Sequence, residues 1–196
     1  MIVYIDRQHS GQVHKIDSRG AGVDLDGNGT KEAQEMEAHW TGYLSLMLES
    51  NLIDMGYKVI PISDGTYSQR HDRVNEYSQK FDCPQVYLAM HLNAGGGNYG
   101  AMFYDHRSEM GVGLARHICD SLSDAVDEIP QFKHIEAHPD NWTKNAYHTI
   151  KGIGKPVAIC SEPIFMDTHK HLISLQGFAK IALGMAIGIR EWSKTL

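Results

Sequence analysis

The sequence predicts an α/β fold in which helices pack on both faces of a mostly parallel sheet. Short apolar runs, typical of buried strands, alternate with longer stretches in which apolar residues recur at spacings of three and four. This alternation is typical of a parallel sheet covered by helices. Since no linker and no repeat interrupts the pattern, we expect residues 1–196 to form one domain.

The strands are predicted from apolar runs that end in polar or turn-forming residues. The first of them, IVYID, stands almost at the start of the chain. The full set of predicted strands is residues 2–6, 57–62, 86–90, 101–104 and 156–161.

The helices are predicted from the three-and-four spacing of apolar residues, over about residues 30–55, 68–80, 109–126 and 170–193. Residues 127–155 lack a clear period, so we expect a long loop there, with a short strand near 147–150. Such a loop would border a substrate groove. Trp142 and Tyr147 could stack on a substrate there or simply anchor the loop.

The overall composition argues against several classes of function. A formal net charge of −6 argues against nucleic acid as a partner, because phosphate binding needs a basic surface. No apolar run is long enough to span a membrane. The start, MIVYIDRQH, lacks the features of a signal peptide, so we expect synthesis in the cytoplasm. The three cysteines are far apart in the sequence and are expected to be reduced.

Polar residues follow three of the predicted strands at the point where each strand ends. His9 follows the first strand, His91 follows the strand VYLAM, and Glu162 follows PVAICS. Ligands of open α/β sheets bind beyond the carboxyl ends of the strands, so we expect these side chains to converge. Glu37 lies two helical turns before Leu44 and therefore on the apolar stripe of the first helix, where a carboxylate is costly unless something neutralises it.

These four residues together indicate zinc chemistry. Two histidines and one carboxylate, with a fourth position open to water, are a recurring catalytic zinc arrangement, here His9, Glu37 and His91. Glu162 would then act as general acid and base. Each residue alone has a simpler explanation, such as a hydrogen-bonded histidine at a strand end or a glutamate that reaches solvent. Only their convergence favours a metal centre.

A second metal site is suggested by residues 24–35, DLDGNGTKEAQE, which fit the calcium-loop pattern D-x-[DN]-x-[DN]-G-x5-E. No helix is predicted before the loop, so it would be a single calcium loop. The alternative is an acidic, glycine-rich turn that leads into a helix. The candidate calcium ligands are Asp24, Asp26, Asn28, the carbonyl of Thr30, Glu32 and the carboxylate of Glu35.

The sequence around the four candidate zinc-site residues resembles the zinc-dependent N-acetylmuramoyl-L-alanine amidases of the amidase-3 family, which includes autolysins and phage endolysins. IDRQHSG stands at the family's Pro-Gly-His-Gly-type turn, HLNAG at its Ser-Ile-His-Ala-Asn motif, and PVAICSEPIF at its strand that ends in the catalytic glutamate. The helix from Glu37 to Gly56 resembles the neighbourhood of the family's second ligand. Arg7-Gln8 replaces the usual Pro-Gly, Pro163 follows Glu162 directly, and Thr41 stands where many members have asparagine.

The resemblance implies a mixed sheet of about six strands and a zinc site formed by His9, Glu37 and His91. It also implies catalysis by Glu162 and a substrate-binding candidate in Asn93. The implied substrate is peptidoglycan, cut between N-acetylmuramic acid and L-alanine for lysis or wall remodelling. We expect a monomer that reaches the wall through a holin or another export route.

Two other classes of function remain open from the residues alone. One is a zinc peptidase or deacetylase that acts on another amide, since the same four residues would serve it. The other is a non-catalytic, calcium-dependent wall-binding module. That module would be expected to have lost the glutamate at position 162 or part of the ligand set.

Overall fold

The computed structural model describes residues 1–9 and 20–196. The strands are β1 (Ile2–Arg7), β2 (Lys58–Ile62), β3 (Gln85–Met90), β4 (Gly100–Asp105), β5 (Phe132–Ala137) and β6 (Val157–Glu162). The α-helices are α1 (Glu37–Asp54), α2 (Tyr67–Ser78), α3 (Glu109–Ala125), α4 (Lys144–Ile150) and α5 (Leu175–Ser193). Short 3-10 turns cover Ala33–Glu35 and Lys170–Leu172.

The strands form one sheet in the order β2-β1-β3-β6-β4-β5. Neighbouring strands are parallel except for β4 and β6, which are antiparallel. The predicted mixed, mostly parallel sheet is therefore confirmed. Since β1, β3 and β6 are adjacent and parallel, their carboxyl ends meet at one edge of the sheet.

Helices cover both faces of the sheet, as predicted. On one face the buried side chains of α1, α3 and α5 pack against residues such as Val3, Leu88 and Ile159. On the other face α2 and α4 pack against alternate strand residues such as Tyr4 and Tyr87. The strands are thus buried on both sides, which explains their nearly continuous apolar sequences. None of the described helices is both long enough and apolar enough to cross a membrane.

The predicted loop over residues 127–155 is wrong. The segment contains strand β5 and helix α4, and residues 147–150 are helical rather than extended. β5 pairs with β4 alone at the edge of the sheet and carries partly exposed polar residues, so it lacks the apolar run of a central strand. α4 has 7 residues, too few for a helical period to stand out in the sequence.

Two predicted helices begin later than expected. α1 begins at Glu37 rather than near residue 30, because the preceding residues pair with a neighbouring segment. The amide of Val23 donates to the carbonyl of Glu35 (3.1 Å), and the amide of Glu37 donates to the carbonyl of Ala21 (2.7 Å). α5 begins at Leu175, where the hydroxyl of Ser174 caps the helix by accepting from the amide of Gly177 (3.1 Å).

Candidate active site

Three adjacent strands bring His9, His91 and Glu162 to the same edge of the sheet. Arg7, at the end of β1, is in register with Met90, the last residue of β3. Met90 is in register with Ser161 of β6, and the amide of His91 donates to the carbonyl of Ser161 (2.8 Å). His91 and Glu162 therefore leave neighbouring strands side by side.

Glu37 reaches this edge from the first turn of α1, with a side chain that is almost fully buried (4% exposed). Its Oε1 accepts from the amide of Leu92 (3.0 Å) and lies 3.0 Å from Nδ1 of His91 and 3.6 Å from Nε2 of His9. Its Oε2 accepts from the amide of Ala21 (3.0 Å). The carboxylate thus lies between two imidazoles and two backbone donors.

The charges of this cluster stabilise one another. Burial alone would raise the pKa of Glu37, but the hydrogen bond to His91 and the charges of His91 and His9 outweigh it, so the pKa is lowered. Burial alone would lower the pKa of His91, but the hydrogen bond and charge of Glu37 outweigh it and raise the pKa. Without a bound cation, the carboxylate therefore favours protonation of the neighbouring imidazole.

The cluster has the dimensions of a metal site. One ligand atom from each of His9, Glu37 and His91 can be chosen so that all lie within 4.8 Å of one another. Ligand atoms around a tetrahedral zinc ion are about 3.3 Å apart, given bonds of about 2.0–2.1 Å. Nε2 of His91 is buried and has no hydrogen-bond partner among the described residues. A buried nitrogen in that state is costly, so these residues fit a cation.

Glu162 is partly buried beside the cluster, and Nδ2 of Asn93 donates to its Oε2. Burial, together with the negative charge of Glu37, raises the pKa of Glu162 to about 7, although His91 and Asn93 act in the opposite direction. A carboxyl group with a pKa near neutrality can both accept and return a proton. Asn93, a candidate for substrate binding, is thus placed where it holds the carboxylate of Glu162.

His9, Glu37, His91 and Glu162 line one cleft of about 350 Å³. Four further polar residues line the same cleft, Tyr67 from the start of α2 and Asn145, His148 and Thr149 from α4. Sequence reasoning missed the residues of α4, because this helix lies in the segment that we predicted as a loop. Asn145 and His148 are three residues apart, so recognising the helix would have placed both on one face.

Trp142 and Tyr147, for which the sequence left open substrate stacking or anchoring of the loop, do not line the cleft. Trp142 is 67% exposed, and its ring lies edge-on to Phe103. The hydroxyl of Tyr147 accepts from Arg107 (3.4 Å) on the side of α4 that borders β4. It is the polar face of α4 that borders the cleft.

The 24–35 loop brings together three of its candidate ligands. One carboxylate oxygen from each of Asp24, Asp26 and Glu35 lies within 4.8 Å of the others. The carboxylate of Glu35 is buried and accepts from the amides of Leu25 (2.5 Å) and Glu32 (2.9 Å). The side-chain oxygen of Asn28 instead accepts from the amide (2.8 Å) and hydroxyl (2.7 Å) of Thr30.

The raised pKa of Glu162 predicts a pH-dependent cost to stability in the metal-free protein. The folded chain keeps a proton that the unfolded chain releases, so stability falls as pH rises from the usual value of 4.5 to about 7. Glu162→Gln removes this titration. We expect it to raise the free energy of unfolding by up to about 3 kcal/mol above pH 7 relative to the wild type, since one pKa unit is about 1.36 kcal/mol.

Urea unfolding of the metal-free protein at about pH 5 and about pH 8 measures this effect. The exposed Glu76→Gln substitution is the matched control and should show no such pH-dependent gain. Equal gains for Glu162→Gln at both pH values would show that the carboxyl titrates normally.

The comparisons with known proteins identify the fold. The sequence matches no protein-family model and no curated protein. Among solved structures, the N-acetylmuramoyl-L-alanine amidase AmiC2 of Nostoc punctiforme has a TM-score of 0.73 and 16% identity over 99% of this chain and 97% of its own. The catalytic domain of the CD27L endolysin, which targets Clostridium difficile, has a TM-score of 0.64 and 21% identity, with 97% of both chains covered.

A third neighbour is the CwlD amidase from Clostridioides difficile, solved in complex with the GerS lipoprotein. It has a TM-score of 0.67 and 19% identity over 100% of this chain and 99% of its own. All three matches span essentially the whole of each chain. The chain therefore has the fold of the N-acetylmuramoyl-L-alanine amidases, as its motifs predicted.

Proposed function

We propose that this protein is a zinc-dependent amidase that hydrolyses the bond between N-acetylmuramic acid and L-alanine in peptidoglycan. The observation that carries the proposal is the cluster of His9, Glu37 and His91, whose ligand atoms lie within 4.8 Å of one another. Glu162, with a pKa of about 7, lines the same cleft. Two of the structural neighbours, AmiC2 and CwlD, are amidases, which supports the choice of substrate.

His9, Glu37 and His91, which line the cleft, would hold the ion. When bound, zinc supplies a water whose pKa is lowered to about 7 and polarises the scissile carbonyl. The two backbone donors on Glu37, from Leu92 and Ala21, keep its carboxylate oriented toward the imidazoles. The carboxylate of Glu37 is thus held in place by the backbone.

Glu162 would move the proton that hydrolysis requires. It accepts a proton from the attacking water and returns it to the amine of L-alanine as the amide bond breaks. Asn93 engages Oε2 of Glu162, and no described side chain donates to its Oε1, which leaves that oxygen available to the water. A pKa of about 7 suits both halves of this transfer.

The polar wall of the cleft would hold the substrate. Tyr67, Asn145 and His148 offer hydroxyl, amide and imidazole groups along the same cavity as the catalytic residues. Peptidoglycan presents amides, hydroxyls and carboxylates, which such groups bind. Residues 1–196 would act as one catalytic domain and as a monomer, at the cell wall, in lysis or in wall remodelling.

We also propose that the 24–35 loop binds calcium. The oxygens of Asp24, Asp26 and Glu35 lie within 4.8 Å of one another, and no lysine or arginine among the described residues forms a salt bridge with these carboxylates. Glu35 is only 3% exposed. Repulsion among three close carboxylates would be relieved by a divalent cation that prefers oxygen ligands.

The first prediction from this proposal concerns the bond that is cut. Purified peptidoglycan digested with the protein should release stem peptides with free L-alanine amino termini, identified by mass spectrometry. Activity should disappear after metal removal with EDTA and return with zinc, because the attacking water depends on the ion. New reducing sugar ends would indicate a glycosidase, and full activity after metal removal would contradict a zinc mechanism.

The second prediction tests the role of Glu162. Glu162→Gln keeps the size of the side chain but cannot accept a proton, so kcat should fall by roughly 10²–10⁴-fold. The zinc dissociation constant should change little, since Glu162 is not a proposed ligand. Glu76→Gln, an exposed substitution of the same type, should retain wild-type turnover. Wild-type turnover in Glu162→Gln would rule out the acid–base role.

The third prediction tests the calcium loop in zinc-saturated protein. At a calcium concentration of about 100 times Kd, binding stabilises the folded state by about 2.7 kcal/mol, which corresponds to a rise in Tm of roughly 5–10 °C. Asp26→Asn should abolish this rise, and the exposed control Asp82→Asn should keep it. If calcium does not change the Tm of the wild type, the loop does not bind calcium.

A further inference from the structure

His9 occupies a backbone conformation that residues other than glycine seldom adopt. Its φ angle is +54°, in the left-handed region, at the turn where β1 ends. Such a conformation costs free energy and persists only when surrounding contacts hold it. The contacts around this turn therefore determine where the His9 imidazole lies relative to Glu37.

Gln8, the residue before His9, is fully buried, and its backbone is joined to the helix that carries Glu37. The hydroxyl of Thr41 lies 3.1 Å from the carbonyl oxygen of Gln8 and 3.0 Å from that of Glu37. The single hydroxyl proton is shared between these two acceptors, so one side chain on α1 contacts both the residue before one candidate ligand and the backbone of another. Thr41 thus links the turn after β1 to helix α1.

The side chain of Gln8 is held from the opposite direction. Its Oε1 accepts from Nη2 of Arg70 (2.8 Å), and Arg70 is almost fully buried (1% exposed). Nε of Arg70 forms an ion pair with Asp6 (3.1 Å), in the strand that leads to His9. The amide nitrogen of the side chain, Nε2 of Gln8, is buried and has no hydrogen-bond partner in the part of the chain that the structure describes. Gln8 is therefore held at two oxygens. Its carbonyl oxygen contacts Thr41, and its Oε1 contacts Arg70.

We propose that Gln8 is the positioning residue of the zinc site, and that Thr41 and Arg70 act through it to fix His9 against Glu37. We call this set of three residues the Gln8 clamp. The inference rests on the proposed function, because the clamp matters only if the site binds zinc. Gln8 and Thr41 are also two of the places where the sequence departs from the family pattern, and they contact each other.

Two substitutions remove the clamp from opposite sides without altering any proposed ligand. Thr41→Val replaces the hydroxyl with a methyl group of similar size, and Gln8→Met removes the acceptor for Arg70. We expect each to raise the dissociation constant for zinc about 10-fold or more, as is typical when groups that orient metal ligands are lost. Competition with a chromogenic chelator measures the constant, and cobalt(II) absorption spectra report the changed ligand geometry.

Two further variants separate positioning from general stability. Thr41→Ser keeps the hydroxyl and should retain the wild-type zinc affinity and cobalt(II) spectrum. Ser78→Ala removes a comparable buried helix hydroxyl, which donates to the carbonyl of Asn75 (2.8 Å) on α2, and should leave zinc affinity unchanged. If Gln8→Met does not fold, the comparison of Thr41→Val with Thr41→Ser decides the question.

The outcomes distinguish the clamp from the function on which it rests. A wild-type protein that binds neither zinc nor cobalt would overturn the proposed function. Tight binding by the wild type and equally tight binding by Thr41→Val and Gln8→Met would overturn only the clamp. An equal loss of affinity in Ser78→Ala would also overturn it, because the effect would then follow stability rather than position.

Discussion

The carboxylate of Glu37 lies almost entirely out of contact with water, between two imidazoles, and the arrangement of the site depends on this burial. A buried carboxylate is destabilising unless charges and donors compensate for the lost solvation. Here His91, His9 and the amides of Leu92 and Ala21 do so. These groups come from separate parts of the chain. Their hydrogen bonds and ion pairs to one carboxylate therefore bring those parts together.

The sheet provides the frame in which this compensation is possible. Because β1, β3 and β6 are adjacent and parallel, the residues that follow them leave the sheet at one edge. The same geometry places Glu162 next to His91 but outside the group of close ligand atoms. Its environment therefore differs from that of Glu37. Burial raises the pKa of Glu162, whereas the imidazoles lower the pKa of Glu37.

Much of this arrangement could be predicted from the sequence, because it follows from local patterns. Apolar runs that end in His91 or Glu162 indicate strands with polar residues at their carboxyl ends, and a glutamate on an apolar helical stripe stands out. The edge strand β5 and the short helix α4 carry weak local signals, so Asn145 and His148 could not be assigned to the cleft. Their position in the cleft depends on tertiary packing, which local sequence patterns do not predict.

The Gln8 clamp could not be predicted from the sequence either, for a different reason. Gln8 and Arg70 are 62 residues apart, and nothing in the sequence near either one indicates that they meet. Buried polar contacts of this kind are specified by the completed fold. In our proposal, they determine how closely the candidate ligand His9 is held.

Zinc K-edge X-ray absorption of the zinc-loaded protein, together with its metal content, tests the central claim most directly. The account predicts one zinc ion per chain with nitrogen and oxygen ligands only, at about 2.0–2.1 Å, and an imidazole signal from two histidines. A sulfur ligand at about 2.3 Å would place the ion on a cysteine, away from His9, Glu37 and His91. That result, or a protein that retains no zinc, would contradict the account.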